Sequence, residues 1–336
     1  AFPAECCGWL IGDRDGPLVT FTGATPLAGA FVRGTIMVEA TATDVGMLDP
    51  APTLHIVAPA GTADTDGDTT DADIHATFDT ATAVPAGGPL TVVLDGFDHS
   101  GNHSDVAMST RTFTVDNTPP VIAITAPATD GQFLRGPVTI QFTIAEANVM
   151  STTALLDGAT PITPGFQVAT EGPHTVAVTV LDRAGWTTMA TRTFTIDSTA
   201  PVLNSVSAQA GTVVRPPLTI TATATDNFMG AGSLGSDVTV TSTPAPTSTT
   251  PGSTGGNRTL VVAYSTLPDG PFTARFNVTD RAGNVADEHV VMRTIDGTPP
   301  VLTWIQGAFT PLGTDWWTAT ATPTLTGVVS DANLGT

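Results

Sequence analysis

Apolar and polar residues alternate along much of this chain, in the pattern that predicts half-buried β-strands. Segments 138–144 and 174–180 show the alternation most regularly, with Val, Ile and Phe separated by single Thr or other small or polar residues. Gly, Pro, Asn and Asp cluster between such segments, and no window has a sustained helical period. Because each sheet must bury its apolar face on another sheet, short strands of this kind predict antiparallel β-sandwiches. The expected core-facing residues of segment 138–144 are Val138, Ile140, Phe142 and Ile144.

The strand pattern recurs between similar boundary sequences. Each boundary begins with an Asp and ends with a Pro four residues later, as at 13–17, 116–120, 197–201 and 296–300. The units between boundaries are roughly 80–100 residues long, the size of one domain, and internal repeats of this kind predict a tandem array. The predicted organisation is an N-terminal segment or linker (1–17), a first domain with an acidic insertion (18–116), a second domain (117–197), a third domain (198–296) and an incomplete fourth unit (297–336).

Acidic residues occupy three fixed places in the repeat. The first place is the boundary Asp, the second lies eleven residues after an Arg, and the third lies nine residues after the Pro of a Gly-Pro pair. Asp15 adds a further acid to the first boundary. The acids in register are Asp13, Asp44 and Asp98 in the first repeat, Asp116, Glu146 and Asp182 in the second, Asp197, Asp226 and Asp280 in the third, and Asp296 and Asp331 in the incomplete fourth.

Two third-place acids open a recognisable motif. It reads Asp-Arg-Ala-Gly at 182–185 and Asp-Arg-Ala-Gly-Asn at 280–284, and each copy is followed by a strand and an Asp-x-Thr-(Pro/Ala)-Pro boundary. The motif resembles tandem bacterial immunoglobulin-like domains of large surface and secreted proteins of the adhesin type, over nearly the whole chain from Asp13 onward. The resemblance implies an all-β fold of tandem antiparallel immunoglobulin-like β-sandwiches in a rod-like array. The first repeat departs from it, with Asp-His-Ser-Gly-Asn at 98–102 and a long acidic insertion.

In such sandwiches the three acidic places should converge. The boundary acid precedes the first strand, and the other two acids end strands that return to the same pole, so all three should meet beside the preceding domain. Carboxylates gathered there repel one another unless a cation lies between them, and Ca²⁺ is the hard cation that accepts six to eight oxygen ligands. The alternative stays open, because Asp is an ordinary turn residue that bonds its own backbone.

A second acidic pattern lies in the insertion of the first repeat. Asp64, Asp66 and Asp68 alternate around Gly67 and resemble a calcium loop. The pattern departs from the EF-hand loop, because the Gly precedes the third Asp and no Glu follows at the twelfth place. A calcium loop and a solvated acidic turn are equally compatible with these residues.

The net charge of the chain limits the classes of partner that it can bind. The formal net charge is −20, and all 11 basic residues are Arg. A strongly acidic chain disfavours nucleic acid and anionic membranes and favours cations. No run of 18 apolar residues is present, so we expect no direct insertion into a membrane.

Signals of catalysis are weak. His99, His103 and Asp105 have zinc-like spacing after Asp98, but they fall in a predicted turn. No nucleophile and base are arranged in a known catalytic motif. We therefore expect no enzymatic turnover by these residues.

These observations favour a structural role outside the cell or at its surface. The chain is expected to be a stalk or fibre component of an adhesin, made rigid by calcium at its domain junctions. Two alternatives remain: non-catalytic accessory domains of a secreted enzyme, and a filament subunit polymerised by strand exchange. The expected partners are calcium ions, other copies of the chain, or a cell-surface or carbohydrate ligand; the fold alone does not choose among them.

Overall fold

A computed structural model describes residues 13–23, 25–44, 53–57, 73–98, 100–228, 238–254, 257–305, 310–312, 315–317 and 326–331. Within these ranges the fold is all-β, as predicted, and the one helix is a single short turn. No helix of the described residues is long and apolar enough to cross a membrane. The strands form one β-sandwich for each full repeat.

The first sandwich consists of a three-stranded and a four-stranded sheet, with strand orders β1-β3-β5 and β2-β7-β6-β4. Alternate residues of both sheets meet in one core, in which Val38, Phe78, Leu90 and Phe113 are almost completely buried. The elements are β1 (Leu18–Phe21), β2 (Phe31–Val32), β3 (Thr35–Thr43), β4 (Thr53–Val57), β5 (Asp73–Asp79), α1 (Thr80–Ala83), β6 (Gly88–Phe97) and β7 (Thr110–Val115).

The second sandwich has a five-stranded sheet, β13-β12-β15-β16-β9, and two pairs, β11-β8 and β10-β14. Val138, Ile140 and Phe142 are buried as predicted, whereas Ile144, near the end of its strand, is half-buried. The strands are β8 (Val121–Ala126), β9 (Gln132–Leu134), β10 (Val138–Thr139), β11 (Gln141–Ala145), β12 (Val149–Leu156), β13 (Thr160–Pro161), β14 (Gln167–Val168), β15 (Gly172–Asp182) and β16 (Thr187–Ile196).

The third sandwich consists of two four-stranded sheets, β17-β19-β22-β21 and β18-β24-β23-β20. Its core includes Leu218, Ile220, Phe276 and Ile295, each at most 1% exposed. The strands are β17 (Val202–Ala208), β18 (Val213–Val214), β19 (Leu218–Thr225), β20 (Val238–Thr243), β21 (Ser248–Thr254), β22 (Asn257–Tyr264), β23 (Gly270–Asp280) and β24 (His289–Ile295).

The fourth repeat contributes two antiparallel strand pairs, β25 with β28 and β26 with β27. Its strands are β25 (Val301–Ile305), β26 (Thr310–Leu312), β27 (Asp315–Trp317) and β28 (Thr326–Ser330).

The chain divides into two compact units. One unit holds the first sandwich and most of the second, in residues Ala1–Asp130, Thr139–Phe166 and Thr175–Thr193. The other holds Gly131–Val138, Gln167–His174 and Phe194–Thr336, which include the third sandwich.

Strand register fixes the first two acidic places. In every repeat the boundary Asp lies five residues before the first strand, and the second-place acid directly follows the residue opposite the start of that strand. The two acids therefore reach the same end of the same strand pair each time. The opposed pairs are Leu18 with Thr43, Val121 with Ala145, Val202 with Thr225, and Val301 with Ser330.

Candidate metal centres

The structure brings the three acids of each full repeat together. In every triad, one carboxylate oxygen from each residue lies within 4.8 Å of an oxygen of the other two. The third-place Asp is buried in all three, and the boundary acid is buried in the second and third. We call these clusters the first triad (Asp13, Asp44 and Asp98), the second triad (Asp116, Glu146 and Asp182) and the third triad (Asp197, Asp226 and Asp280).

The other predicted ligands are placed differently. Asp15 is exposed, and its backbone N–H donates to Asp13 Oδ1 over 3.2 Å. Asp296 and Asp331 are half-buried and occupy the same register positions as the corresponding triad acids. Asp64, Asp66 and Asp68 lie outside the described residues.

The zinc-like spacing near position 100 builds no cluster of three ligands among the residues that the structure describes. His103 Nδ1 lies 2.9 Å from Asp95 Oδ1 in an exposed pair, and Asp105 Oδ1 accepts the Ala107 N–H over 2.9 Å. His99 lies outside the described residues.

A repeated turn holds the third-place Asp of each triad. The backbone N–H four residues later donates to its Oδ1, over 2.8 Å at Asp98 and 2.7 Å at both Asp182 and Asp280. The Gly three residues after each Asp has a φ of 84° to 89°, a left-handed conformation that Gly adopts without steric cost. One carboxylate oxygen is thus fixed by the turn, and the orientation of the other follows from it.

The residue four positions after the third-place Asp also holds the boundary acid. Its side chain donates to the backbone carbonyl of the boundary Asp in all three triads: Asn102 Nδ2 to Asp13 over 3.3 Å, Trp186 Nε1 to Asp116 over 3.2 Å, and Asn284 Nδ2 to Asp197 over 2.9 Å. The spacing of the acids does not predict this role, although Asn284 lies in the Asp-Arg-Ala-Gly-Asn motif at 280–284. Each boundary is therefore hydrogen-bonded to the turn that carries the third-place Asp of the same triad.

Boundary acids also act as turn residues. Asp116 Oδ1 accepts the Thr118 N–H over 3.1 Å, and Asp197 Oδ1 accepts the Thr199 N–H over 3.2 Å. This is the local bonding that the turn interpretation expects. Each carboxylate oxygen has two lone pairs, so the bond to the turn leaves further acceptor capacity on both acids.

Asn148 links the three chain segments of the second triad. Its backbone N–H donates to Glu146 Oε1 over 2.7 Å, and its Nδ2 donates to Asp116 Oδ2 over 2.9 Å. Its carbonyl accepts the N–H of Arg183, the neighbour of Asp182, over 2.9 Å. These contacts hold the second triad in a compact geometry.

Like charges raise the energy of the third triad. Burial, repulsion by Asp226 and further repulsion by Asp280 and Glu171 raise the pKa of Asp197 to about 6. In the first triad, burial acts to raise the pKa of Asp98, but hydrogen bonds led by those from Asn102 outweigh it and hold that pKa below its ordinary value.

The second triad contains a buried carboxylate oxygen that lacks a hydrogen-bond partner among the described residues. Asp182 is completely buried, and its Oδ2 has no hydrogen-bond partner within the described part of the chain. Burying an unpaired carboxylate oxygen is costly, and a cation beside it would remove that cost. The triads offer only carboxylate oxygens, a set that suits Ca²⁺ better than the nitrogen and sulfur ligands preferred by Zn²⁺. The residues present therefore fit a calcium ion.

Comparisons with known proteins agree with the architecture. Residues 239–293 match a family model described as a bacterial Ig-like domain. No curated protein sequence matches the chain.

Among solved structures, the chain is similar to an ectodomain fragment of ICAM-5, with 13% identity, 94% of this chain and 98% of that chain covered, and a TM-score of 0.43. It is also similar to a three-domain fragment of titin, with 8% identity, 84% and 99% coverage and a TM-score of 0.34. A third similar structure is the tetra-tandem repeat in the extending region of a large adhesion protein, with 20% identity, 87% and 78% coverage and a TM-score of 0.31. The family match to the bacterial Ig-like domain covers residues 239–293, which lie in the third sandwich.

Proposed function

We propose that this chain is an extracellular stalk or fibre component of an adhesive protein, in which calcium stiffens the junctions between sandwiches. The observation that carries the proposal is the second triad, where the completely buried Asp182 keeps an unpartnered oxygen beside two other carboxylates. The same spacing of acids in three repeats supports extending the proposal to the first and third triads.

The chemistry of the site explains why a cation would affect stiffness. When bound, Ca²⁺ would neutralise the mutual repulsion of the carboxylates and bond to all three. Asp116 belongs to the linker, whereas Glu146 and Asp182 lie at strand ends of the second sandwich. The backbone N–H of Asp116 also donates to Val32 of the first sandwich over 2.9 Å. A cation held by these residues would therefore fix the linker to both sandwiches.

The environment outside cells suits such sites. Extracellular calcium modules bind with dissociation constants of about 10⁻⁴ to 10⁻³ M, which is weak compared with intracellular sensors. The net charge of −20 also favours accumulation of cations near the surface.

Calcium is expected to slow amide hydrogen exchange at the boundaries. The Thr118 and Thr199 N–H groups bond to the boundary acids Asp116 and Asp197, so fixing these acids should protect both amides. The measurement is exchange in calcium and in chelator, with the buried β15 residue Val178 as an internal control that should not change. Equal exchange at both boundaries in the two conditions would contradict the stiffening role.

Asp197→Asn is expected to change the stability of the metal-free protein in a pH-dependent way. The folded-state pKa of about 6 exceeds the ordinary value of 3.8, so the folded chain binds this proton more tightly than the unfolded chain. The stability of metal-free wild type therefore falls as the pH rises from about 4 to about 6. The neutral Asn avoids that loss. At pH 7 it should stabilise the chelated protein by up to about 3 kcal/mol, since one pKa unit corresponds to about 1.4 kcal/mol.

The measurement is urea unfolding in chelator at pH 4 and pH 7, with the exposed acid Asp287 changed to Asn as a control. The stabilising effect of Asp197→Asn should be present at pH 7 and absent at pH 4. In calcium at pH 7 the sign should reverse, because the variant has lost a ligand. A destabilising effect at pH 7 in chelator would show that burial and like-charge repulsion do not make the ionised Asp197 unfavourable in the folded chain.

A further inference from the structure

One arginine of the first sandwich stacks on and hydrogen-bonds to the turn that holds Asp182. The Arg33 guanidinium lies 4.2 Å from the centre of the Trp186 ring. Its Nε donates to the carbonyl of Ala184 over 3.0 Å, and its Nη2 donates to the carbonyl of Gly185 over 2.9 Å. Guanidinium groups stack most favourably on Trp, and their fixed fork of donors suits two neighbouring carbonyls. Arg33 therefore contacts the turn twice, by stacking on the Trp186 ring and by hydrogen bonds to two backbone carbonyls.

The turn also contributes an arginine that contacts an aromatic ring of the first sandwich. The Arg183 guanidinium, next to Asp182, lies 5.5 Å from the centre of the Phe31 ring. Phe31 and Arg33 lie at and just after β2 of the first sandwich, two residues apart. The junction between the first and second sandwiches thus has two guanidinium–ring contacts in opposite directions, and neither needs a metal.

The next junction has only half of this arrangement. Arg281 and Phe133 occupy the places of Arg183 and Phe31, and their guanidinium-to-ring distance is 4.3 Å. Asn284 occupies the place of Trp186 and offers no aromatic ring. Arg135, in the place of Arg33, is exposed and makes no hydrogen bond or ring contact with the described residues.

We propose that Arg33 is a metal-independent lock of the first junction, so that calcium removal loosens the second junction more than the first. Arg33 holds Trp186, whose ring N–H donates to the Asp116 carbonyl in the linker. The lock therefore joins the first sandwich, the linker and the Asp182 turn through contacts that persist in chelator. The part of this inference that concerns calcium rests on the proposed function, whereas the lock itself does not.

Paired nitroxide labels on the full chain test the lock. Cys6 and Cys7 are replaced by Ser, and labels are placed at exposed strand positions, with Thr77 and Ser151 spanning the first junction and Ser151 and Thr273 spanning the second. Pulsed dipolar spectroscopy then measures the width of each distance distribution in calcium and in chelator. Circular dichroism confirms that every variant remains folded.

In chelator, the distance distribution of wild type should broaden less across the first junction than across the second. Arg33→Ala should broaden the first distribution in chelator, and Arg33→Lys should do so partly, because it keeps the charge and loses the fork. Arg135→Ala, the matched control at the same place of the next repeat, should change neither distribution.

An unchanged first distribution in folded Arg33→Ala in chelator would overturn the lock, and so would equal broadening of both junctions in chelated wild type. One other result would contradict the calcium proposal and leave the lock intact. If no width responds to calcium but Arg33→Ala still broadens the first distribution, the lock stands and the calcium part fails.

Discussion

Asp182→Asn is expected to eliminate metal binding at the second triad and to leave the third triad unaffected. Asn keeps an oxygen that can accept the Trp186 N–H, so the turn should survive. The substitution removes the charge and the unpartnered Oδ2 that a cation would bind. Replacement of a supporting residue around a metal typically weakens binding about 10- to 100-fold, so loss of a charged ligand should cost at least about 100-fold.

Terbium luminescence excited through Trp186 gives a readout of this triad, since energy transfer requires a Trp close to the ion, and the signal lost in Trp186→Phe is the part that comes from it. Trp186 bonds to the Asp116 carbonyl and is the aromatic residue of this turn. Trp186→Phe should remove the sensitised signal and weaken calcium binding less than Asp182→Asn does, because it removes no carboxylate ligand and only the bond to the Asp116 carbonyl. Asp287→Asn, which makes the same change in net charge at an exposed site, should behave as wild type. A sensitised signal that Asp182→Asn leaves at full strength would show that the ion binds elsewhere.

Phe276→Ala is expected to destabilise the third sandwich by about 3–5 kcal/mol, in calcium and in chelator alike. Phe276 is fully buried in the core, and the surrounding structure fills the cavity left by a large aromatic side chain only in part. The core of each sandwich is aliphatic and aromatic, so its cohesion should not depend on the metal. The measurement is urea unfolding, with Met292→Ala as a control because Met292 is 68% exposed on the neighbouring strand β24.

The size of this effect should be independent of calcium, because ligand binding to the folded state adds the same term to wild type and variant. A Phe276→Ala protein that is destabilised only in chelator would show that the metal, rather than the core, holds the sandwich together.

Much of the fold could be predicted from the sequence because its determinants are local. Alternation over seven residues places Val138, Ile140 and Phe142 in a core, and the structure buries all three. Constant spacing does the same for the triads. A period-two strand of fixed length ends at a fixed place, so an acid eleven residues after Arg135 must arrive where Glu146 does.

The rest depends on contacts that spacing does not encode. Arg33 meets Ala184 and Gly185 across about 150 residues of sequence, and that meeting requires the mutual placement of two sandwiches. Likewise, the bond from Trp186 to the Asp116 carbonyl depends on how the linker passes the turn. A pattern of acids identifies the turn, but not which neighbouring side chain holds it.

Calorimetric titration of calcium into wild type, Asp182→Asn and Asp280→Asn at neutral pH tests the central claim most directly. If each triad is one calcium site, wild type should give calcium-dependent heat, and each variant should bind one ion fewer than wild type because Asp182 and Asp280 belong to different triads. The absence of calcium-dependent heat in wild type, or a stoichiometry unchanged in both variants, would contradict the account and leave these acids as turn residues.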